Sequence, residues 1–285
     1  MARVSHKTIL EIAKDQQTQL DKDQGLTVRK ANQLIQKNRF DMSIREQRLL
    51  LYCISRIKPT DKGGELYKIK IQDVYRASGI DGTDGRAYEA MKEAVKRLDS
   101  FNFELKDEHG AVEIVHWIRD TKIDKGRGVV AFRFDPRVTP YLFNVRKYFT
   151  QYELGNALRM KSVYSVRLYE IVKSYENIRE KGFTLDELRY LLGADIKTVK
   201  IERGVYVTRR STSYDKYSIF KQKVIDPAVN EINECTDLEV SYAEVKEGRK
   251  VIGLRFVITD ASDKLAERRM EQIDRQRHPE RYTTP

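Results

Sequence analysis

YEAMKEAV (residues 88–95) and YSIFKQKV (residues 217–224) are two versions of one helical stretch, and this repetition decides the fold. The matched positions keep the spacing 0, 3, 4 and 7, which is the apolar stripe of a packed helix. They are Tyr88, Met91, Lys92 and Val95 in the first copy and Tyr217, Phe220, Lys221 and Val224 in the second. The spacing indicates an internal duplication.

The similarity extends to both sides of this helix. A short amphipathic helix closed by a glycine precedes each copy, and a glycine turn followed by an alternating strand comes after it. The matched positions are Ile71, Asp73, Val74 and Gly79 with Leu185, Glu187, Leu188 and Gly193, then Arg127, Phe132, Arg133 and Phe134 with Arg249, Leu254, Arg255 and Phe256. A further helix is predicted ahead of each copy, over 43–56 and 162–175. We therefore predict an α+β protein with two tandem winged helix-turn-helix domains related by internal duplication.

The composition along the chain predicts four segments. Residues 1–27 are polar and mixed in charge, as in a mobile N-terminal arm. Residues 28–145 form the first winged-helix domain and residues 146–260 the second. Residues 261–285 form a charged C-terminal tail, predicted as a frayed helix with a disordered end. Five aromatic residues within 136–159 predict a helix packed between the domains.

Net charge and hydropathy restrict the class of partner. A formal net charge of +11 and a sequence pI of about 9.4 favour a polyanion, most commonly nucleic acid, although a ribosome or a membrane surface also attracts such a chain. No apolar run approaches the roughly 20 residues needed to cross a bilayer, and the start lacks a signal-peptide core. We predict a cytoplasmic protein without membrane association. Cys53 and Cys235 form no paired motif and are predicted to be buried free thiols.

Catalytic motifs receive no support from the sequence. A phosphate-binding P-loop is absent, and no two of the four histidines have the His-x-His spacing that a metal-dependent nicking enzyme requires. Most of the 16 tyrosines occupy apolar stripe positions, where packing explains them better than nucleophilic catalysis. The prediction is a protein that is not an enzyme and needs neither a metal nor a cofactor.

The outward faces of the two long helices differ. The first helix presents Ala87, Glu93 and Ala94, whereas the second presents Lys216, Gln222 and Lys223. Cationic and amide side chains of this kind contact base edges and phosphates in a DNA groove. Lys221 lies within the apolar stripe, so we assign it a structural role first, reaching a phosphate or an acidic neighbour, and a DNA contact second.

Basic residues beside this helix predict contacts with phosphates. An insertion between Gly193 and Tyr217 carries Arg209 and Arg210. The glycine turn of the second hairpin adds Arg249 and Lys250. Ser213 is the predicted N-cap, and Pro227 predicts a kink. The alternative reading is a basic face that only water contacts.

A strand in the first domain is apolar on both faces. In the hairpin predicted over 101–119, Ile114 lies on one face and Val115 and Trp117 lie on the other. Such a strand is either covered within its own domain or pairs with another chain. The residues alone favour neither option.

Several motifs, in this order along the chain, resemble the iteron-binding replication initiators of theta-replicating plasmids, which have two winged-helix domains. The motifs are VRKAN (28–32), LI (34–35), REQRLL (45–50), YSVRLYE (164–170), IDPAVNEIN (225–233) and GRK (248–250). The resemblance implies that the second domain binds direct repeats at an origin. It also implies that the first domain contacts the DNA backbone in the monomer and forms the interface of a homodimer that represses its own gene.

Carried over to this chain, the resemblance makes Lys216, Gln222 and Lys223 base or phosphate contacts. It also favours a dimer interface containing Ile114, Val115 and Trp117. The implied partners are double-stranded DNA, as origin direct repeats and an operator inverted repeat, and the host initiator and replicative helicase. The homodimer is expected to be in equilibrium with a monomer. A dimeric winged-helix repressor without initiation activity would use the same residues, and an origin-nicking enzyme is a third, weaker alternative.

Overall fold

The computed structural model divides the chain into two compact units, residues 1–159 and 160–285. The residues that it describes are 25–80, 82, 85–106, 112–124, 126–197, 201–202, 205–206, 209–210 and 214–278. Nearly all of the predicted N-terminal arm lies outside these ranges, as do the predicted N-cap Ser213 and the end of the C-terminal tail.

The first unit contains seven strands and six helices within the described residues. In chain order they are β1 (Thr27–Ala31), α1 (Asn32–Lys37), α2 (Ile44–Ile54), β2 (Tyr67–Lys70), α3 (Ile71–Ala77), α4 (Gly85–Ser100), β3 (Asn102–Lys106), β4 (Val112–His116), β5 (Ile118–Asp124), β6 (Val129–Phe134), α5 (Thr139–Leu142), β7 (Phe149–Glu153) and α6 (Leu154–Arg159).

A winged helix-turn-helix forms the centre of this unit. Helix α2 begins at a capping box in which Ser43 and Glu46 each satisfy the other's backbone amide. Helix α4 packs against α2, α3 and β5, and its buried stripe includes Met91 and Val95. Strands β2, β6 and β5 form an antiparallel sheet in that order. The predicted sequence of helices followed by a wing hairpin is confirmed.

Strand β7 changes the predicted domain boundary. It pairs with β1 in an antiparallel ladder that places Val28 opposite Tyr152. These hydrogen bonds keep residues 149–159 with the first unit, so the boundary predicted at 145/146 moves to 159/160. The helix predicted over 136–159 is also wrong, because this segment contains the short helix α5, strand β7 and helix α6.

In the hairpin of β3 and β4, one face of the predicted apolar strand is covered within its own unit and the other face is exposed. Val115 and Trp117 are fully buried, and the Trp117 ring lies 5.0 Å from the Phe40 ring and 4.7 Å from the Phe103 ring. Their prediction as dimer contacts is therefore wrong, because the core of their own unit already covers these side chains. Ile114 points the other way and is 61% exposed, so its place in a dimer interface stays a prediction.

The second unit repeats the same frame. Its described elements are α7 (Val163–Lys173), β8 (Glu180–Thr184), α8 (Leu185–Leu192), the two-residue strands β9 (Ile196–Lys197), β10 (Ile201–Glu202), β11 (Val205–Tyr206) and β12 (Arg209–Arg210), then α9 (Tyr217–Phe220), a π-helical turn (Lys221–Ile225), α10 (Asp226–Cys235), β13 (Leu238–Glu247), β14 (Lys250–Asp260) and α11 (Ser262–Arg277).

The order of elements in this unit is that of a second winged helix-turn-helix. Strands β13, β14 and β8 form its antiparallel sheet in that order. Helix α8 begins at a capping box of Thr184 and Glu187 and ends at Gly193, whose φ is +67°. Gly79 has the same role after α3, with a φ of +65°. The duplicated short helix and its glycine stop are confirmed.

The basic insertion and the C-terminal tail of the second unit have more regular structure than the sequence predicted. The basic insertion contains short strands, and the backbone of Arg209 pairs with that of Lys197. The C-terminal helix α11 packs through Leu265, and its Arg268 guanidinium donates hydrogen bonds to the carbonyls of Asn233 and Glu234 at the end of α10. The described part of the predicted tail is therefore a helix, and its first turns contact the end of α10.

No helix among the described residues is long and apolar enough to span a membrane. In the same ranges, no group of three potential metal ligands occurs. Both cysteines are free thiols, and Cys53 is buried as predicted, whereas Cys235 is half-buried. Burial raises the pKa of the Cys53 thiol well above its usual range.

Candidate nucleic-acid interface

The long helix of the second unit is interrupted by a wide turn. Helix α9 continues into the π-helical turn, in which the Asp226 amide donates to the carbonyl of Lys221, five residues earlier. Pro227 follows at once in the first turn of α10. Because proline lacks the amide that would bind the Lys223 carbonyl, a regular helix cannot continue here. The sequence predicts a kink at Pro227; the structure shows a wide π-helical turn over Lys221–Ile225, directly ahead of Asp226 and Pro227.

This turn shifts the register between the two copies by one residue. Met91 and Phe220 are both buried and lie 129 positions apart. From the end of the turn onward, buried positions of the two helices lie 130 positions apart: Ala94 with Val224, Val95 with Ile225, and Leu98 with Ala228. The outward position predicted for Ala94 is therefore wrong, because a match between the copies without a gap ignores the extra residue.

The predicted reading face of the second helix is exposed. Lys216, Gln222 and Lys223 are exposed, together with Ile219. Within the described ranges, no carboxylate lies within ion-pair distance of Lys216 or Lys223. These two ammonium groups and the Gln222 amide therefore remain available to an external ligand that offers anionic or hydrogen-bonding groups.

The start of this helix is fixed by a residue that sequence reasoning missed. Arg189 of α8 donates from Nε to the carbonyl of Tyr214, at 2.9 Å, and from Nη2 to the carbonyl of Asp215, at 3.0 Å. Its guanidinium also lies 5.1 Å from the centroid of the Phe220 ring. Arg189 thus fixes the segment that leads into the reading face. Nothing in its local sequence spacing identifies it, because its partners lie 25 and 26 residues away.

A cluster around Glu244 connects the helix to strand β13. We call Tyr217, Lys221, Glu244 and Lys246 the Glu244 cluster. The Tyr217 hydroxyl donates to Glu244 Oε1 at 2.7 Å, Lys246 Nζ lies 3.1 Å from Oε2, and Lys221 Nζ lies 3.8 Å from Oε1. Lys221 also lies 5.3 Å from the centroid of the Tyr242 ring. The structural role predicted for Lys221, with an acidic neighbour, is confirmed.

The cluster changes the acid–base behaviour of its members. The hydrogen bond from Tyr217, followed by that from Lys246, holds the pKa of Glu244 below its usual range. Desolvation and the hydrogen bond to Glu244 raise the pKa of Tyr217. Tyr242 behaves similarly: burial and the hydrogen bond to Asp226 raise its pKa. At neutral pH the carboxylate is therefore ionised and both phenols are protonated.

The wing of the second unit ends in the predicted turn. Strands β13 and β14 pair up to Glu247 opposite Lys250, and Gly248 adopts a φ of +59° between them. Arg249 and Lys250 are exposed at this tip, and no described carboxylate is within ion-pair distance of either. For Arg209 and Arg210 only the backbone is described, so their predicted phosphate contacts remain predictions.

The first unit contains a second cationic region, which the sequence did not predict. A cleft of about 320 Å³ is lined by Arg29, Lys58 and Arg146, with Ile54 and Leu142 among its apolar lining residues, and none of its described lining residues carries a carboxylate. The Arg29 guanidinium donates from Nε to Gln151 Oε1 at 2.8 Å and stacks at 4.4 Å from the Phe149 ring centroid. Long-range pairing of β1 with β7 brings these residues together.

Comparison with known proteins agrees with this architecture. Residues 27–173 match the family model described as "Initiator Replication protein, WH1", and residues 184–258 match "Initiator Rep protein, WH2". The PI protein of Escherichia coli is 25% identical over 222 residues, which cover 68% of this chain and 69% of that protein. A replication initiation protein of Escherichia coli is 22% identical over 241 residues, covering 82% and 69%.

A solved structure shows the same fold. The crystal structure of the Pi initiator protein in complex with iteron DNA has a TM-score of 0.65 to this chain at 22% identity, covering 82% of this chain and 98% of that one. The WH1 match alone spans more than half of the sequence. The chain therefore belongs to the initiator replication protein family, and it is a replication initiator with two winged-helix domains.

Proposed function

We propose that this protein initiates plasmid replication by binding directly repeated origin sequences, known as iterons, through its second unit. The observation that carries the proposal is the exposed face of Lys216, Gln222 and Lys223, whose lysines have no ion-pair partner among the described residues. Lysine can donate to guanine O6 and N7, and glutamine can pair with the N6 and N7 of adenine. The Pi initiator protein, similar in fold, has been crystallised with iteron DNA.

Other residues in the proposal contact only the DNA backbone. In the second unit these are Arg249 and Lys250 at the wing tip and Arg209 and Arg210 in the insertion. Contacts of this kind place the protein on the duplex and add affinity that does not depend on sequence. In the first unit, the cleft with Arg29, Lys58 and Arg146 offers a corresponding site for phosphates.

The assembly state is a further part of the proposal. We propose that a homodimer, in equilibrium with the monomer, represses the protein's own gene at an operator inverted repeat. Val112 and Ile114 support this, because they are 53% and 61% exposed on one strand. The monomer would recruit the host initiator and replicative helicase at the origin, with no catalytic activity of its own. A cytoplasmic location follows from this role.

Binding to an origin and opening of that origin can be tested together. The purified protein is footprinted on a duplex that carries direct repeats beside an AT-rich segment, and unpaired thymines are detected with permanganate. We expect regular protection of each repeat and permanganate reactivity in the AT-rich segment on supercoiled DNA. Protection of an inverted repeat alone, without reactive thymines, would instead support the alternative of a dimeric repressor without initiation activity.

A further inference from the structure

We infer that Glu244 limits sequence-independent DNA binding by the second unit, because it pairs with Lys221 and Lys246, which would otherwise bind phosphates of any sequence. The inference rests on the proposed function, in which this unit reads DNA. It assigns to an anionic side chain the role of weakening contact with DNA phosphates, which exposed cations can only strengthen. Glu244 would lower affinity for DNA in general and so make binding depend on the reading face.

The geometry places one carboxylate between two cations from different elements. Glu244 Oε2 lies 3.1 Å from Lys246 Nζ, and Oε1 lies 3.8 Å from Lys221 Nζ. The two lysine side chains are 54% and 39% exposed, so neither is confined by packing alone. If the carboxylate were absent, both ammonium groups would be long and flexible enough to turn toward a bound polyanion.

These lysines occupy the elements proposed to touch DNA. Lys221 directly precedes Gln222 and Lys223 of the reading face, and Lys246 is two residues before Gly248 of the wing turn. Glu244 reduces the formal charge of the three-residue group from +2 to +1. Its own charge also repels phosphates, so both effects weaken the contact of this region with the DNA backbone.

Weaker binding to the DNA backbone makes stable binding depend on base contacts. Every phosphate that a lysine neutralises adds affinity for all sequences, and it steepens the dependence of log K on log salt by about 0.9. An equal penalty on all DNA leaves the ratio of cognate to scrambled affinity unchanged, but it lowers the absolute affinity, so stable binding then requires the additional base contacts of a cognate site. Tyr217 is a positioning residue here, since its hydroxyl orients the carboxylate at 2.7 Å.

The main test compares Glu244→Gln with a matched control. Glu239→Gln removes a carboxylate of the same strand that pairs with Lys264 and lies at the opposite end of β13 from the wing. Dissociation constants are measured for a repeat-containing duplex and a scrambled duplex over a range of salt concentrations. For Glu244→Gln we expect tighter binding to the scrambled duplex and a salt slope steeper by about 1 to 2. We expect no change of slope for Glu239→Gln.

A second variant keeps the inference testable if Glu244→Gln does not fold. In the double variant Lys221→Gln with Lys246→Gln, two cations are removed, yet the inference expects an unchanged salt slope on scrambled DNA because Glu244 already withholds both. In the Glu244→Gln background the same pair of changes should reverse the gain. A decrease in slope for the double variant in the wild-type background would overturn the inference, because the lysines would then already bind phosphates.

The outcomes separate this inference from the proposed function. If Glu244→Gln weakens both duplexes equally at an unchanged slope, Glu244 has only a structural role and the inference is wrong. If the wild-type protein fails to prefer the repeats, the proposed function fails, whereas the scrambled-duplex slopes still show whether Glu244 withholds the two lysines.

Discussion

Helix α4 of the first unit and the interrupted helix of the second unit keep one apolar stripe but differ in what they present outward. On α4, Lys92 of the stripe, whose side chain is 14% exposed, and the exposed Lys96 pair with Glu89 and Glu93, each three residues earlier on the same helix. In the second unit, Lys216 and Lys223 have no such partner among the described residues, and the nearby Glu244 pairs with Lys221 and Lys246 instead. After duplication, the core has been retained and the surface charge has been redistributed.

The backbones differ as well. Helix α4 runs without interruption for 16 residues, whereas the second helix widens at 221–225 ahead of Pro227. One extra residue is accommodated there, so side chains beyond the turn face directions that the first copy does not predict. Wide turns of this type occur frequently at functional sites. The difference is consistent with the proposal that the second copy, and not the first, provides the reading face.

The largest expected effect is a loss of stability in the first unit when its core is disrupted. Trp117→Ala removes a fully buried side chain of the first unit and should lower its free energy of unfolding by about 3 to 5 kcal/mol. Chemical denaturation followed by far-UV circular dichroism measures this, because Trp117 is the single tryptophan of the chain and its removal abolishes tryptophan fluorescence. The matched control Ile114→Asp changes an exposed position of the neighbouring strand, so it should leave stability nearly unchanged and shift the protein toward monomer in sedimentation. A destabilised first unit in the control would contradict the exposed position of Ile114.

The next effect tests the reading face directly. Lys216→Ala with Lys223→Ala should weaken binding to direct repeats by roughly 1 to 3 kcal/mol for each lysine that makes a good hydrogen bond to a base. The control Lys92→Ala with Lys96→Ala removes the same charge from α4, where each lysine already has a glutamate partner. Gel-shift titrations on repeat and scrambled duplexes measure both pairs. Equal decreases in affinity for the two pairs would show that the helices are equivalent in binding.

Local patterns were sufficient to predict the shared frame. The stripe of Met91 and Phe220, the glycine stops at Gly79 and Gly193, and the helix starts after Ser43 and Ser162 depend on residues a few positions apart. Spacing in the sequence records such short-range requirements directly. The exposed Lys216, Gln222 and Lys223 followed from the same helical geometry, since they lie before or within the first residues of the wide turn.

Features that depend on distant partners could not be predicted in this way. Strand β7 is held by β1, more than a hundred residues earlier, and Trp117 is covered by Phe40 of another segment. The contacts of Arg189 and the convergence of Arg29 with Arg146 have the same origin. The register shift at the wide turn was missed for a different reason, because an alignment without a gap fits the apolar stripe equally well as far as Val224.

A smaller effect is expected from the wing. Arg249→Ala and Lys250→Ala should lower affinity for repeat and scrambled duplexes alike, and each should flatten the salt dependence by about 0.9 if it removes one phosphate contact. Arg127→Ala is the matched control in the first wing, where Asp124 lies 3.9 Å away. Fluorescence anisotropy at several salt concentrations provides the slopes. A loss of discrimination at an unchanged slope would instead assign the second wing to base reading.

The smallest effect is the pH dependence that the Glu244 cluster gives to the stability of the second unit. The pKa of Glu244 is lowered by its hydrogen bonds from Tyr217 and Lys246. A carboxyl with a lowered pKa in the folded state adds stability above its unfolded pKa, near 4.5, and loses it as the pH falls through the folded value. The raised pKa of Tyr217 gives the opposite dependence, because that stability is lost as the pH rises above about 10. The melting temperature, measured from pH 3 to 11, should therefore stay constant over a narrower pH range for the wild type than for Tyr217→Phe. This variant lacks the hydrogen bond that shifts the pKa values of both Glu244 and Tyr217. Identical pH profiles for the two proteins would show that this bond between helix and wing adds nothing to the stability of the second unit.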